Sequence, residues 1–254
     1  MGNHRKCDSP DPFFKLRVAI TGGTSGLGLA LVGELLGRGA DVAFVARGRE
    51  RVEQVARDYH VHGIAGDVSK KEDIYPLAMQ IVGRLGGLDA LINNASALGP
   101  TPLALLADTD CEDLKRALAT NLLGPFRLTK ALLGALGASA REGRGGVVVN
   151  ISSDAAISPY PRWGAYGASK AALHHLSAIW TAELEPVGIR FLSFDPGDMD
   201  TPLHALAVPD ADPATLKRPQ LAARELADLI ALALPHRPSH LDAPTTSVAN
   251  GGKP

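Results

Sequence analysis

The chain has very little cysteine: its 254 residues include only Cys7 and Cys111. Two cysteines so far apart, one of them in a polar tail, give neither a disulfide framework nor the ligand spacing of a metal site. This scarcity excludes the small disulfide-rich class of secreted proteins. We therefore expect a protein of the reducing cytoplasm that binds no metal.

The chain also lacks an excess of either charge. Its 26 Lys and Arg residues nearly balance its 27 Asp and Glu residues, and they are scattered along the sequence. A surface that binds nucleic acid needs clustered basic residues. Nucleic acid is therefore not an expected partner.

Long apolar runs are missing as well. The longest, such as residues 226–234, have about half of the roughly 20 residues that a membrane-spanning helix requires. Residues 1–12 contain no apolar core of an export signal, and Lys6 stands where a myristoylation signal has Ser or Thr. We expect a soluble protein with no membrane partner.

What the sequence does contain is a regular alternation of strand-like and helix-like segments. The predicted strands are residues 16–21, 41–46, 61–67, 88–93, 146–152 and 188–195. The predicted helices are residues 27–38, 50–59, 70–85, 110–120, 121–138 and 166–185. This alternation favours right-handed crossovers and a parallel sheet covered on both faces. The predicted fold class is α/β, a Rossmann-type doubly wound parallel sheet.

No change in composition divides this array into two domains. We predict a single dinucleotide-binding domain over residues 16–234, preceded by a polar arm at residues 1–15. Within the domain, residues 198–219 are rich in Pro, Asp and Ala and are predicted to be a mobile segment near the substrate. Residues 235–254 lack apolar periodicity and are predicted to be a polar, partly disordered tail.

A glycine-rich loop lies between the first predicted strand and its helix. Glycines at this position permit a tight turn and let the backbone approach a pyrophosphate at the helix N-terminus. A glycine cluster alone is weak evidence, because turns and helix starts use glycine for conformational reasons, but its place in the βαβ array favours a dinucleotide site. The candidate residues are Thr21, Gly22, Thr24, Ser25, Gly26, Leu27 and Gly28.

The end of the second predicted strand indicates which dinucleotide binds. An NAD site normally has an acid about 20 residues beyond the glycines, where it accepts a hydrogen bond from the ribose. Here the sequence is Ala46-Arg47, and a guanidinium suits a 2′-phosphate. NADP(H) is therefore preferred and NAD(H) remains possible. The alternative for Arg47 is a solvated surface arginine.

Two further residues close the third predicted strand. Asp67 and Val68 stand where an adenine would be met, although an Asp in a strand-to-helix turn is equally a helix cap. We include both residues among the candidate cofactor contacts.

Tyr166 and Lys170 are four residues apart in a helical pattern, so they share one face. A nearby ammonium favours a phenolate, and we expect it to lower the pKa of the tyrosine toward neutrality. A lone pair at this spacing is usually only an exposed helix pair. Ser153, thirteen positions before Tyr166, supports the functional interpretation because it can donate to the same carbonyl oxygen.

These segments together resemble the short-chain dehydrogenase/reductase family over residues 16–234. The motifs that carry the resemblance are Thr21-Gly-x-x-x-Gly-x-Gly28, Asn93-Asn94-Ala95, Asn121-Leu-Leu-Gly-Pro-Phe126, Ser153, Tyr166-x-x-x-Lys170 and Pro196-Gly197. Six motifs in one order are specific in combination.

The resemblance implies a role for each matching residue. Tyr166 would be the general acid in reduction, Ser153 would orient the carbonyl, and Lys170 would bind the nicotinamide ribose and lower the tyrosine pKa. Asn121 would hold a proton-relay water. The remaining expected cofactor contacts are Asn94 and Ala95 at the ribose, and Pro196, Gly197, Met199 and Thr201 along the nicotinamide.

The sequence departs from the family pattern at three places. Ser96 stands where Asn-Asn-Ala is usually followed by Gly, and Asp198 follows the Pro-Gly turn directly. The usual final strand is missing before Asn250-Gly251-Gly252. Because tetramers of the family commonly use that strand, we expect a homodimer that pairs through the helices at 121–138 and 166–185.

A few other residues leave their roles open. His174 and His175 suggest a helix or subunit interface more than a metal site, which would need a third ligand. Trp163 is either a pocket wall or a hydrophobic staple before a helix, and Asp154 beside Ser153 is undecided.

The sequence thus predicts an NADP(H)-dependent reductase of ketones or aldehydes, acting on a small carbonyl or alcohol. A protein of another class, an NADP(H)-binding regulator or scaffold without turnover, is the alternative. A dehydratase or epimerase on the same fold is a third possibility.

Overall fold

The computed structural model describes residues 12–235 and is built around one six-stranded sheet. All pairings are parallel, and the strands stand in the order β3-β2-β1-β4-β5-β6. The strands are β1 Arg17–Thr21, β2 Asp41–Ala46, β3 His62–Ala65, β4 Ala90–Asn93, β5 Val147–Ile151 and β6 Arg190–Phe194. The Rossmann-type doubly wound fold predicted from the sequence is confirmed.

Helices cover both faces of this sheet. They are α1 Gly26–Gly37, α2 Arg49–Tyr59, α3 Lys71–Leu85, α4 Cys111–Leu118, α5 Gly124–Arg141, α6 Gly164–Leu184, α7 Pro202–Ala207 and α8 Pro219–Ala233. The first, second and eighth pack on one face, and the third, fifth and sixth pack on the other. The strands and helices predicted from the sequence agree with these bounds to within three residues.

Alternation along the strands explains the two-sided core. In β1, Val18 and Ile20 point into one apolar cluster, whereas Ala19 between them points into the other. Successive side chains of a strand face opposite sides of a sheet. Because both sides are covered, the central strands β1, β4 and β5 are apolar at most positions, whereas the edge strands β3 and β6 include exposed polar residues.

The structure adds a helix that the sequence analysis did not predict. Residues 226–234 were treated only as an apolar run, yet they belong to α8, whose Leu226 and Ile230 are fully buried. Their spacing of four places both on one face, which packs against α1. Upstream, residues 198–219 contain α7 and a bridge between Met199 and Lys217, and their mobility stays a prediction.

The packed part of the chain begins earlier than expected. Phe13, placed in the polar arm by the sequence analysis, is fully buried, and the Arg38 guanidinium lies 5.4 Å from the centre of its ring. Burying a phenylalanine stabilises a fold by about 1.5–3 kcal/mol, so the domain includes this residue. The rest of the predicted arm at 1–11, the polar tail at 236–254, and Asn250 with its glycines lie outside the described residues.

A buried polar network joins the carboxyl ends of the two central strands. Asn93 Nδ2, at the end of β4, donates to Asn150 Oδ1 on β5 at 2.8 Å and to Thr129 Oγ1 on α5 at 3.2 Å. Asn150 Nδ2 in turn donates to Ser177 Oγ on α6 at 2.8 Å. These bonds fix two helices against the strand ends where the loops leave the sheet.

A buried carboxylate joins elements at the opposite end of the sheet. Asp89, fully buried before β4, accepts hydrogen bonds from Arg17 at 2.6 Å, Ser139 at 2.6 Å and Arg144 at 3.1 Å. Burial by itself would raise the pKa of this carboxyl, but the hydrogen bonds outweigh it and lower the pKa to about 2. The folded chain therefore favours the charged carboxylate.

Replacing Asp89 by Asn should destabilise the protein at pH 7 by about 2–3 kcal/mol, because two partly buried guanidinium groups lose their counter-charge. The pKa is lower in the folded chain than its ordinary 3.8, so the wild type keeps its advantage above about pH 4. The advantage shrinks as the pH falls toward 2. Urea unfolding at several pH values measures the difference in free energy of unfolding between the two proteins. Asp58→Asn, at an exposed position, is the control. Equal stability of wild type and Asp89→Asn at pH 7 would refute this account.

Candidate functional site

A cleft of about 990 Å³ crosses the carboxyl ends of the strands. Residues that directly follow each of the six strands line it, as expected where parallel strands end at one edge of a sheet. All but three of the residues that the sequence analysis assigned to the site lie on its wall. The exceptions are Thr21, Gly28 and Asn121, which are buried beneath it.

The glycine-rich loop is held against the loop that follows β4. Gly22 has a φ of +75°, and a Cβ on Gly28 would overlap the Gly22 carbonyl, so both positions require glycine. Thr21 Oγ1 accepts hydrogen bonds from the backbone of Asn94 at 2.9 Å and of Ala95 at 3.0 Å. Asn94 Nδ2 returns a bond to the Thr21 carbonyl at 2.8 Å. Thr21, buried beneath the cleft, therefore holds Asn94 in its wall.

This arrangement leaves the first turn of α1 open to the cleft. Ser25 is the N-cap residue, its side chain caps no backbone N–H, and it lines the cleft with Thr24 and Gly26. Backbone N–H groups at a helix N-terminus, approached by a glycine loop, suit a pyrophosphate. The residues present therefore fit a dinucleotide.

Arg47 and Asp67 lie at the end of the cleft formed by β2 and β3. Arg47 is exposed on the wall directly after β2. Asp67 Oδ1 accepts bonds from the backbone and the hydroxyl of Ser69, at 2.9 and 2.7 Å, so its carboxylate stabilises the turn before α3. Val68 beside it is buried but still reaches the wall.

Tyr166 and Lys170 lie side by side in the interior of the cleft. Their exposed fractions are only 8% and 3%, so the alternative of an exposed helix pair is wrong. Lys170 Nζ donates to the carbonyl oxygen of Ile151 at 2.7 Å and lies 5.4 Å from the centre of the Tyr166 ring. The helix thus brings a phenol and an amine to the end of β5.

Burial decides the protonation of both groups. It raises the pKa of Tyr166 to about 12, although the hydroxyls of Ser153 and Ser96 act in the opposite direction. It lowers the pKa of Lys170 to about 8, against the attraction of Asp195. The expectation that Lys170 brings the tyrosine pKa toward neutrality is therefore not met, because desolvation is the larger effect.

Ser153 opens the loop that follows β5. Its Oγ donates to Asp154 Oδ1 at 3.0 Å and accepts from the backbone N–H of Ala155 at 3.2 Å. The other oxygen of Asp154 accepts a bond from the Tyr160 hydroxyl at 2.8 Å. Asp154, undecided from the sequence, thus links the serine to a tyrosine at the mouth of the cleft.

Trp163 has one of the two roles that the sequence left open, that of a pocket wall. It is the N-cap residue of α6 itself, whereas a hydrophobic staple is the residue before the N-cap. Trp163 lines the cleft, with its ring centre 5.6 Å from that of Tyr166 in an edge-on arrangement. Packing of this kind stabilises a pair of aromatic rings beyond their burial. The indole therefore restricts the tyrosine ring.

Asn121 lies in a π-helical turn, Ala119–Leu123, between α4 and α5. Its Nδ2 donates to the Ala97 carbonyl and to Ser169 Oγ, each at 2.8 Å, and its Oδ1 accepts from the Ala97 N–H at 2.8 Å. Ser96 Oγ adds a bond to the same oxygen at 3.3 Å. An amide has two N–H hydrogens and two oxygen lone pairs, so this side chain is fully used as a brace.

Ser96 is a site residue that the sequence analysis underestimated. Its hydroxyl lies between the Asn121 amide and the Tyr166 phenol, whose pKa it lowers, and it lines the cleft. The signal in the sequence is this serine, which stands in place of the glycine that usually follows Asn-Asn-Ala.

The helix residues beyond Lys170 separate into core and surface. Trp180 is buried and stacks on Phe126 at 5.4 Å, so it belongs to the core, whereas His174 and His175 are exposed. Their place at a subunit interface stays a prediction.

Among residues 12–235, no helix is long and apolar enough to cross a membrane.

A comparison with protein families agrees with this geometry. The family model described as short chain dehydrogenase matches residues 17–212, most of the described chain. The chain belongs to the short-chain dehydrogenase family. The resemblance drawn from the sequence motifs is thereby confirmed.

Relatives of this short-chain dehydrogenase include an uncharacterised oxidoreductase of Mycobacterium tuberculosis, 35% identical over 237 residues. That match covers 89% of this chain, and the chain spans 66% of the length of that relative. The 2-(R)-hydroxypropyl-CoM dehydrogenase of Xanthobacter autotrophicus is 33% identical over 195 residues, covering 74% of this chain and 76% of that protein.

Two solved structures of short-chain dehydrogenases superimpose closely. The 3-ketoacyl-(acyl-carrier-protein) reductase of Brucella melitensis, complexed with NADH, has a TM-score of 0.80 at 26% identity, over 86% of this chain and 91% of that chain. A short chain dehydrogenase of Shigella flexneri, complexed with NADP, has a TM-score of 0.79 at 26% identity, over 90% and 94%. Similar folds in this family thus carry either dinucleotide.

Replacing Lys170 by Met tests the cost of burying the amine. Because its pKa is about 8 in the folded chain and ordinarily 10.5, the unfolded chain binds more protons between these pH values. The wild type should therefore gain about 2 kcal/mol of stability relative to the variant between pH 7 and pH 10. Urea unfolding of both proteins at several pH values measures this gain, and a constant difference would contradict the burial.

Proposed function

We propose that this chain is an NADP(H)-dependent oxidoreductase that reduces a ketone or an aldehyde. The observation that carries the proposal is the buried pair Tyr166 and Lys170, with the partly exposed Ser153 beside it at the carboxyl end of β5, inside a cleft that fits a dinucleotide. The cleft exposes this group beside the open N-terminus of α1. When bound, the nicotinamide supplies the hydride.

The proposed cofactor contacts follow the wall of the cleft. Thr24, Ser25, Gly26 and Leu27 at the start of α1 would hold the pyrophosphate. Asn94 and Ala95 would lie along the ribose, and Pro196, Gly197, Met199 and Thr201 along the nicotinamide, all on the same wall. Asp67 and Val68 would border the adenine.

The preference for NADP(H) over NAD(H) rests on Arg47. The residue is exposed on the wall of the cleft directly after β2. In an NAD site this position has an acidic residue that binds the ribose hydroxyl, and this chain has Ala46 and Arg47 instead. A guanidinium offers several donors in a plane to a phosphate. Its neighbour Ala46 adds no negative charge.

The protonation of Tyr166 is compatible with its proposed role as the proton donor. Burial raises its pKa to about 12, so the phenol keeps its proton at neutral pH until a substrate oxygen takes it. It would give that proton to the carbonyl oxygen, while the Ser153 hydroxyl, which has one hydrogen, would turn from Asp154 to donate to the same atom. Lys170, with a pKa of about 8, is able to take and return a proton near neutral pH.

Asn121 would act in this scheme as a brace between the loop after β4 and α6. Because its side-chain groups all have protein partners, a relay water of the kind implied by the resemblance would have to bind elsewhere, such as the main chain. The expected homodimer through α5 and α6 and the cytoplasmic location remain predictions.

Tyr166→Phe removes the proposed acid and keeps the ring against Trp163. We expect at least about a hundredfold loss of kcat for carbonyl reduction, since general acids contribute roughly 10²–10⁴-fold, with NADPH affinity nearly unchanged. Absorbance of the reduced cofactor and a binding titration measure the two quantities. If the wild type turned over no carbonyl compound yet bound NADPH tightly, the regulator or scaffold alternative would replace this proposal.

Arg47→Ala should weaken NADPH binding by about 10–100-fold, because a hydrogen bond to a charged group contributes roughly 1.5–3 kcal/mol. Binding of NADH should change little. Dissociation constants of both dinucleotides for the wild type and the variant provide the measurement. Arg51→Ala, a nearby change at an arginine bonded to Gln54, is the matched control. An equal loss of affinity for both dinucleotides would show that Arg47 does not bind the 2′-phosphate.

A further inference from the structure

The reacting end of the cleft carries more negative than positive charge. Three carboxylates line it there, those of Asp154, Asp195 and Asp198. Of the lysine and arginine residues among the described residues of the wall, Lys170 lies at this end and Arg47 at the other. Asp154 and Asp195 both lie close enough to act on the Tyr166 phenol, and Asp198 acts on Tyr160. An anionic group of a substrate would therefore meet like charge on several sides.

The cations nearest to this end are engaged or remote. Lys217, in the segment that borders the cleft, pairs with Glu225 at 2.8 Å. His204, whose Nε2 lies 3.6 Å from Asp198 Oδ1, is charged only when protonated. Arg47 lies at the other end of the cleft, after β2. Arg162 belongs to the loop between Tyr160 and Trp163, but it is not on the wall of the cleft, and among the described residues it forms no ion pair with the three carboxylates.

The remainder of this end is apolar. Leu98 and Trp163 form one side together with Tyr166, and residues of α7 pack against them. At the mouth, Leu206 and Val208 keep 56% and 38% of their surface exposed while lining the cleft. Exposed apolar side chains that rim a concave site are typical of a surface that binds an apolar ligand.

We propose that the cleft selects an apolar ketone or aldehyde without negative charge, and that Asp154 and Asp198 determine this selection by excluding anionic substrates. The proposal rests on the reductase function and specifies the substrate class of the same site. It excludes carboxylates, phosphates and sulfonates placed near the reacting carbonyl. A hydroxyl or an amine on the substrate would be tolerated, because carboxylates accept hydrogen bonds from both.

Asp154 is held in position for this role. One of its oxygens accepts the Ser153 hydroxyl and the other the Tyr160 hydroxyl, so the charge cannot swing away from the mouth without losing two bonds. Asp198 is fixed through its backbone, since its carbonyl accepts a bond from the Lys217 N–H at 3.0 Å. Its side chain remains 82% exposed and is directed to solvent and cleft.

The test uses two acetophenones that differ in charge and by one methyl group, methyl 4-acetylbenzoate and 4-acetylbenzoate. Their kcat/KM values with saturating NADPH are measured for the wild type, Asp154→Asn, Asp198→Asn and the double variant. We expect the wild type to prefer the ester by about tenfold or more, and the double variant to lose most of that preference through better use of the acid. Asp58→Asn, which removes an exposed charge on α2, should keep the wild-type ratio.

Salt gives an independent readout. Raising the ionic strength from about 0.02 M to about 0.5 M shortens the Debye length several-fold and should narrow the ester-to-acid ratio of the wild type. The double variant should respond little. Because Asp154 contacts Ser153, its replacement is expected to change kcat for both compounds, and the ratio removes this common effect.

A wild-type ratio at or below one, or a ratio that the double variant leaves unchanged, would overturn the proposal. Turnover of neither compound would count against the reductase function instead. In that case the two compounds are titrated calorimetrically into the NADPH complexes of the wild type and the double variant. The proposal requires that the wild type bind the ester more tightly than the acid and that the double variant bind both about equally. Equal binding of both by the wild type would overturn the charge selection itself.

Discussion

The parallel register of β4 and β5 is the constraint on which the site depends. Asn93 and Asn150 form the last pair in the register of these two strands, and their side chains are hydrogen-bonded to each other. Both loops therefore leave the sheet at the same level, one toward Ser96 and the other toward Ser153. The helix that carries Tyr166 is fixed to the same point through Ser177. A slip of one residue would turn every side chain of a strand to the other face.

Residues whose role depends on local sequence were accessible from the sequence alone. The glycine loop and the spacing of Tyr166 and Lys170 have local physical causes, and both lie on the cleft wall as expected. The tyrosine pKa was not accessible, because it depends on how deeply long-range packing buries the ring. The link from Asp154 to Tyr160 was missed for a similar reason: the loop between them has no periodic pattern.

The two ends of the sheet use carboxylates in opposite ways. At the amino end, Asp89 is fully buried and surrounded by donors, and its charge stabilises the fold. At the carboxyl end, Asp154 and Asp198 are exposed, and they contribute little to stability because exposed ion pairs are screened by water. What they change is the electrostatic potential of the cleft. The same residue type thus serves folding at one edge and, in the substrate selection proposed above, recognition at the other.

The burial of Lys170 has a chemical consequence for the proposed reduction of aldehydes. An amine whose pKa is about 8 is unprotonated in part of the molecules near neutral pH, and such an amine is a nucleophile able to form an imine. The hydrogen bond from Nζ to the Ile151 carbonyl directs the amine into the strand end, and only 3% of the residue is exposed. The packing that tunes this lysine for proton exchange thereby also protects it from the electrophiles in its own cleft.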